Sequence, residues 1–204
     1  MTSGTAKAWI KRLSAVLAFG AVMALAGCGP ANPDFKGTDI TGTHLGKDLA
    51  LSDHDGKPRT LTSFSDKVTV VFFGFTQCPD VCPTALSDMA EVMRRLGDDA
   101  DRVQVLMVTV DPQRDTPEVL RAYTTAFDSR FLGLRGDEAA LKKTAASFRA
   151  YYARAPQTAG SDPSRYNVDH TASFYIIDKQ GEARVLAGNT AGPDSLAHDI
   201  RALL

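Results

Sequence analysis

Apolar and polar positions along the chain change period several times, and each change marks an element. "LALSDHDGKPRTL" (Leu49 to Leu61) alternates around Asp55-Gly56 and predicts a β-hairpin. "KVTVVFFGF" (Lys67 to Phe75) is β-branched and aromatic without alternation, the pattern of a strand buried on both faces. From Pro83 the period becomes helical. Leu86, Met89, Ala90, Met93 and Leu96 recur every three or four residues, and Gly97 stops the run.

"RVQVLMVTV" (Arg102 to Val110) predicts a second buried strand, halted by Asp111-Pro112, and Thr116-Pro117 opens a helix through Tyr123. "FLGLRG" predicts a short strand and "DEAALKKTAASFRAYY" a helix ending at Tyr152. "APQTAGSDPSRYN" (Ala155 to Asn167), rich in Pro, Ser and Gly, predicts a flexible insertion. "ASFYIID" and "ARVLAG" form a closing hairpin about Lys179-Gln180-Gly181, and "PDSLAHDIRALL" a last helix. Alternating strands and helices with hairpins at both ends imply an α/β domain: a thioredoxin-like three-layer sandwich with a mixed central sheet and an N-terminal β-hairpin.

The N-terminus follows other rules. Lys7, Lys11 and Arg12 precede "LSAVLAFGAVMALA" (Leu13 to Ala26), whose fourteen uncharged residues fall short of the about 20 that span a bilayer. The order is that of a secretory signal. It ends in "LAGC", which resembles the lipobox of bacterial lipoproteins, with Cys28 acylated as the new N-terminus. The expected division is a lipoprotein signal peptide over 1–27, a lipidated tether over 28–45 and one domain over 46–204. That places the domain on the extracytoplasmic, periplasmic side of a cell membrane, where disulfides persist. At 44% hydrophobic the chain can bury a core. Loss of the signal takes the formal charge from −1 to −4, which argues against nucleic-acid binding.

With Cys28 assigned, Cys78 and Cys82 in "FFGFTQCPDVCPT" are each other's only partners. A disulfide across three residues closes almost no loop and stabilises little. A redox dithiol and a metal site both remain, and both need thiolate. Pro83 as first helical residue puts Cys82 at or beside the cap, where N–H groups favour that form, so position alone does not separate them. The third participant is His170, 88 residues beyond Cys82 and just before a central strand. Thioredoxin-type oxidoreductases carry a cis-proline there, whereas this chain reads Asp169-His170-Thr171-Ala172. Two thiolates and an imidazole are a soft set that suits copper. Structural zinc takes four protein ligands and no convincing fourth is evident, while catalytic zinc with an open position fits the ligand count.

These stretches resemble the SCO/SenC family of copper-binding, membrane-tethered assembly factors. "FFGFTQCPDVCPT", "VTVDPQRDTPEVL", "FLGLRG" and "VDHTASFYIID" occur in the family's order. The resemblance implies copper, Cu(I) or Cu(II), held by Cys78, Cys82 and His170. It implies delivery to the CuA site in subunit II of cytochrome c oxidase, or thiol reduction of that site. Another periplasmic copper chaperone is a further candidate partner. The chain departs from the family at "LAGNTAG", where many relatives carry a basic segment, so partner contacts at that edge do not carry over.

Other residues divide between chemistry and structure. Asp111 and Asp115 stand either behind the site or in turn and cap roles. Asp80 tunes the sulfurs or faces a partner, and Asp169 is placed to orient His170 only if its side chain turns back. His44, His54 and His198 are expected in solvent. Met89 and Met93 are expected in the core, as are Phe72, Phe73 and Phe75, which could also wall the site.

Overall fold

The computed structural model describes residues 33–157, 160, 162 and 165–204. The signal segment and Cys28 lie outside the described residues. The compact unit runs from Phe35 to Leu204.

Its strands are β1 (Thr38–Asp39), β2 (Ala50–Asp53), β3 (Pro58–Thr60), β4 (Val68–Gly74), β5 (Val103–Thr109), β6 (Leu132–Arg135), β7 (Tyr152–Arg154), β8 (Val168–His170), β9 (Ser173–Ile177) and β10 (Ala183–Gly188). The described helices are α1 (Val81–Leu96), α2 (Pro117–Thr125), α3 (Glu138–Phe148) and α4 (Gly192–Arg201), with short 3-10 turns at Leu61–Phe64 and Gly97–Arg102. Eight strands form one sheet in the order β1-β10-β9-β4-β5-β6-β2-β3. β4, β5 and β6 run parallel, and the remaining pairings are antiparallel. The result is the thioredoxin-like mixed sheet, with the β2–β3 hairpin at its edge.

Register fixes what each face covers. Phe72, Met107 and Gly133 lie in one row across β4, β5 and β6. A Cβ at Gly133 would lie 2.9 Å from Leu120 Cβ, so glycine lets α2 pack closely on this face. Phe73 points the opposite way, onto Phe148 of α3, with ring centroids 5.4 Å apart. Helices on both faces explain why every residue of β4 is buried and why its sequence does not alternate. Met89 and Met93 of α1 are buried in the core as expected.

Four sequence expectations change. The folded unit takes in part of the segment expected as tether. Asp199, buried on α4, accepts from the amides of Lys36 (2.7 Å) and Gly37 (2.8 Å), and β1 then pairs with β10. Helix α3 stops at Phe148, because Arg149 turns left-handed (φ 54°) and Tyr152–Arg154 pairs with β8 instead of continuing the helix. Helix α1 starts two residues early, at Val81, with Pro83 in its first turn. His54 is buried, its Nδ1 accepting from the Gly133 amide at 3.2 Å. Among the described residues no helix is long and apolar enough to cross a membrane.

Candidate metal centre

The carboxyl ends of the parallel strands β4 and β5 meet at one pole of the sheet, the usual place for a site in an open α/β sheet. From β4 the chain passes through Phe75–Pro79 into α1, and this passage places both cysteines. Cys82 lies in the first turn of α1 and its side chain is fully buried. Its sulfur sits against the end of β4, where a Cβ on Gly74 would lie 2.8 Å from Sγ. Glycine at 74 is therefore the cradle of the second sulfur. Cys78 precedes the helix, is half-buried, and its Sγ accepts the Cys82 amide at 3.4 Å.

His170 closes the cluster from β8. The hairpin with β7, where Tyr152 pairs with His170, carries the imidazole back over the cysteines. Its ring stands edge-on to Phe72 and Phe75, with centroids 6.1 and 5.8 Å away, so these two phenylalanines wall the site while Phe73 serves the other face. Nδ1 donates to the Thr171 carbonyl at 3.2 Å, which leaves the Nε2 lone pair facing Cys82 Sγ at 3.5 Å. The three ligand atoms all lie within 4.8 Å of one another, and no fourth His, Cys, Asp or Glu joins them among the described residues.

Burial governs the protons. It pushes the Cys82 thiol far above its ordinary value, outweighing a backbone hydrogen bond from Phe75. The helix start was expected to favour a thiolate on Cys82. Instead the first-turn amide serves Cys78, and Cys82 is turned into the core. Burial also lowers the pKa of His170, against the Thr171 carbonyl and Asp169. The metal-free cluster thus holds a neutral imidazole beside a protonated Cys82.

Asp115 is fully buried beneath the cluster. It accepts from the Thr76 hydroxyl and the Thr109 hydroxyl, each at 2.6 Å, and from the Thr76 amide at 3.2 Å. It therefore ties the cysteine loop to the end of β5. Burial raises its carboxyl pKa and these hydrogen bonds oppose the rise. Asp111 pairs with Arg114 and accepts from the Tyr166 hydroxyl at 2.7 Å. Asp80 occupies the N-cap position of α1 but its carboxylate caps nothing. It lies exposed, beside Asp169, on a mouth cavity of about 220 Å³ that Cys78 and His170 also line. His44 and His198 are exposed. Gly74, Thr76, Thr109, Arg114 and Tyr166 were not singled out from the sequence. All five except Tyr166 stand in the quoted motifs, whose length beyond the cysteines was the available signal.

Residues 37–204 match the family model described as SCO1/SenC. An SCO2-like protein of Rickettsia felis is 35% identical over 138 residues, 68% of this chain and 66% of that protein, so the match spans just under two thirds of the relative's length. Among solved structures, Bradyrhizobium japonicum ScoI with copper bound superposes with a TM-score of 0.68 at 39% identity, covering 76% of this chain and 97% of that one. The apo Sco1 protein of Thermus thermophilus gives a TM-score of 0.73 at 37% identity, covering 86% and 100%.

Proposed function

Since the chain belongs to the SCO1/SenC family, we propose that it is a copper metallochaperone, holding one copper through Cys78 Sγ, Cys82 Sγ and His170 Nε2. The observation that carries this reading is the gathering of two sulfurs and a correctly oriented imidazole within 4.8 Å. The related ScoI described with copper bound supports the choice of metal. The sulfurs favour Cu(I), and the imidazole makes Cu(II) tolerable. Loading displaces the Cys82 proton, which burial otherwise retains.

The acceptor in this reading is the CuA site in subunit II of cytochrome c oxidase. Copper is cargo and leaves by ligand exchange. Each acceptor thiolate forms a bond to copper as a donor thiolate lets go, the donor sulfur takes up a proton, and the copper keeps its oxidation state. Half-buried Cys78 lines the mouth, so it is the first sulfur an acceptor meets. Residues 1–27 act as a lipoprotein signal peptide, Cys28 carries the lipid, and the chain from Cys28 to Phe35 tethers the domain on the periplasmic side. Another periplasmic chaperone is the proposed copper source.

The test is Cu(I) affinity by chelator competition. His170→Ala is expected to weaken binding by more than about tenfold, since loss of a mere outer partner of a metal ligand already costs 10–100-fold. Unchanged affinity would refute the ligand assignment.

The asymmetry of the sulfurs favours a second reading, a thiol–disulfide reductase that keeps the acceptor cysteines reduced. Open Cys78 attacks the acceptor disulfide and buried Cys82 resolves the mixed disulfide. Two acceptor thiols form as Cys78 and Cys82 become a disulfide, so electrons and protons balance. This reading expects Cys82→Ser to accumulate a mixed disulfide with subunit II through Cys78. A Cys82→Ser protein that traps no partner counts against it.

A further inference from the structure

The Cys78 loop and the His170 strand come from segments far apart in the chain, and one side chain grips both. Arg114 Nη1 donates to Gln77 Oε1 at 2.9 Å and to the Tyr166 carbonyl at 2.9 Å. Its guanidinium lies over the Tyr166 ring, Cζ 3.7 Å from the centroid, and faces Phe75 at 5.7 Å. Nε pairs with Asp111, which accepts from the Tyr166 hydroxyl at 2.7 Å. The residue next to Cys78 and the residue four before His170 are therefore joined through one half-buried cation. On its other side the histidine strand is held by Thr171, whose amide donates to the Tyr151 carbonyl at 2.9 Å.

We infer that Arg114 is a positioning residue of the metal centre: with Asp111 and Tyr166 it fixes the strand that carries His170 over the two sulfurs. The inference rests on reading Cys78, Cys82 and His170 as the copper ligands. Without the bracket, the strand keeps its pairing with β7 but its Tyr166 end loses the tie to the cysteine loop, so the hairpin can shift relative to Cys82. The contacts demand a planar fork that stacks on an aromatic ring while donating to three acceptors, which a lysine ammonium cannot reproduce.

The experiment uses the detergent-solubilised full chain, Cu(I) as probe, and a double-mutant cycle between Arg114→Lys and His170→Ala. Arg114→Lys is expected to weaken Cu(I) binding by about tenfold when His170 is present and to add nothing when it is absent. In the metal-free protein it should speed amide exchange at Asp169, paired with Ala153 in the β7–β8 ladder, ahead of the amides of the eight-stranded sheet. Wild-type affinity in Arg114→Lys overturns the bracket, as does an equal loss in both backgrounds, which would place the effect on the sulfurs or the whole fold. If Arg114→Lys does not fold, Tyr166→Phe, which removes the hydroxyl bond to Asp111 and the one accepted from Arg154 while keeping the ring under Arg114, carries the same cycle with a smaller expected loss. His170→Ala without effect overturns the ligand reading and the bracket together. A weakened His170→Ala with an unchanged Arg114→Lys overturns the bracket alone.

Discussion

Cys82 combines a helix start, which favours a thiolate, with full burial, which opposes one, and burial prevails. The consequence is a pH dependence with a defined sign. The folded thiol pKa is raised above the ordinary 9.0, so the unfolded chain loses this proton first. Stability from this residue is complete below pH 9 and declines as pH rises toward the folded value, by about 1.4 kcal/mol per unit. Denaturant unfolding of the metal-free protein between pH 8 and 10 should show the decline, and Cys82→Ser should flatten it. Equal slopes in both proteins would contradict the assignment. Gly74 belongs to the same scale. A methyl there meets Cys82 Sγ and Phe72 Cε1, both at 2.8 Å. Gly74→Ala is expected to cost about 1–3 kcal/mol of stability by overpacking and to weaken Cu(I) binding by moving the sulfur. Unchanged affinity in a chelator titration would show that the cradle does not set its position.

At the scale of elements, the sequence was most legible where a single pattern sufficed. β4 and β5 are continuous apolar runs because helices cover both faces, and α1 carries its buried stripe at helical spacing. The cysteine loop and His170 were legible as motifs. The pairing of β7 with β8 was not, because it joins strands across a Pro-, Ser- and Gly-rich stretch whose composition says nothing about partners. For the same reason helix α3 looked one turn too long: local propensity there is weaker than the ladder that captures Tyr152. His54 was illegible since one amide, Gly133 N–H from a distant strand, makes its burial tolerable. β1 is likewise a tertiary product, held where Asp199 grips the amides of Lys36 and Gly37. Asp199→Ala leaves those donors unpaired and should destabilise the domain by about 1–3 kcal/mol. Hydrogen exchange at the Ile40 amide, bonded to Arg184 O, should quicken while copper affinity stays unchanged. A loss of affinity would mean that this edge is coupled to the metal centre.

At the scale of the molecule, the topology brings the cysteine loop, the Asp111–Asp115 turn and the β7–β8 hairpin to one pole, with Cys78 and His170 facing a shared mouth. A chaperone needs that arrangement, because its cargo must be held by buried groups yet remain reachable by an acceptor. It also needs to be kept near its acceptor, which the proposed lipid on Cys28 provides. Cys28→Ser should shift the protein from the membrane to the soluble fraction with its copper affinity intact, and continued membrane association would remove lipidation from the account.

X-ray absorption at the copper edge of the Cu(I)-loaded protein tests the central claim most directly. The expected coordination is two sulfurs and one nitrogen per copper, with the nitrogen lost in His170→Ala. A nitrogen that persists without His170, or a first coordination sphere lacking either sulfur, would contradict it.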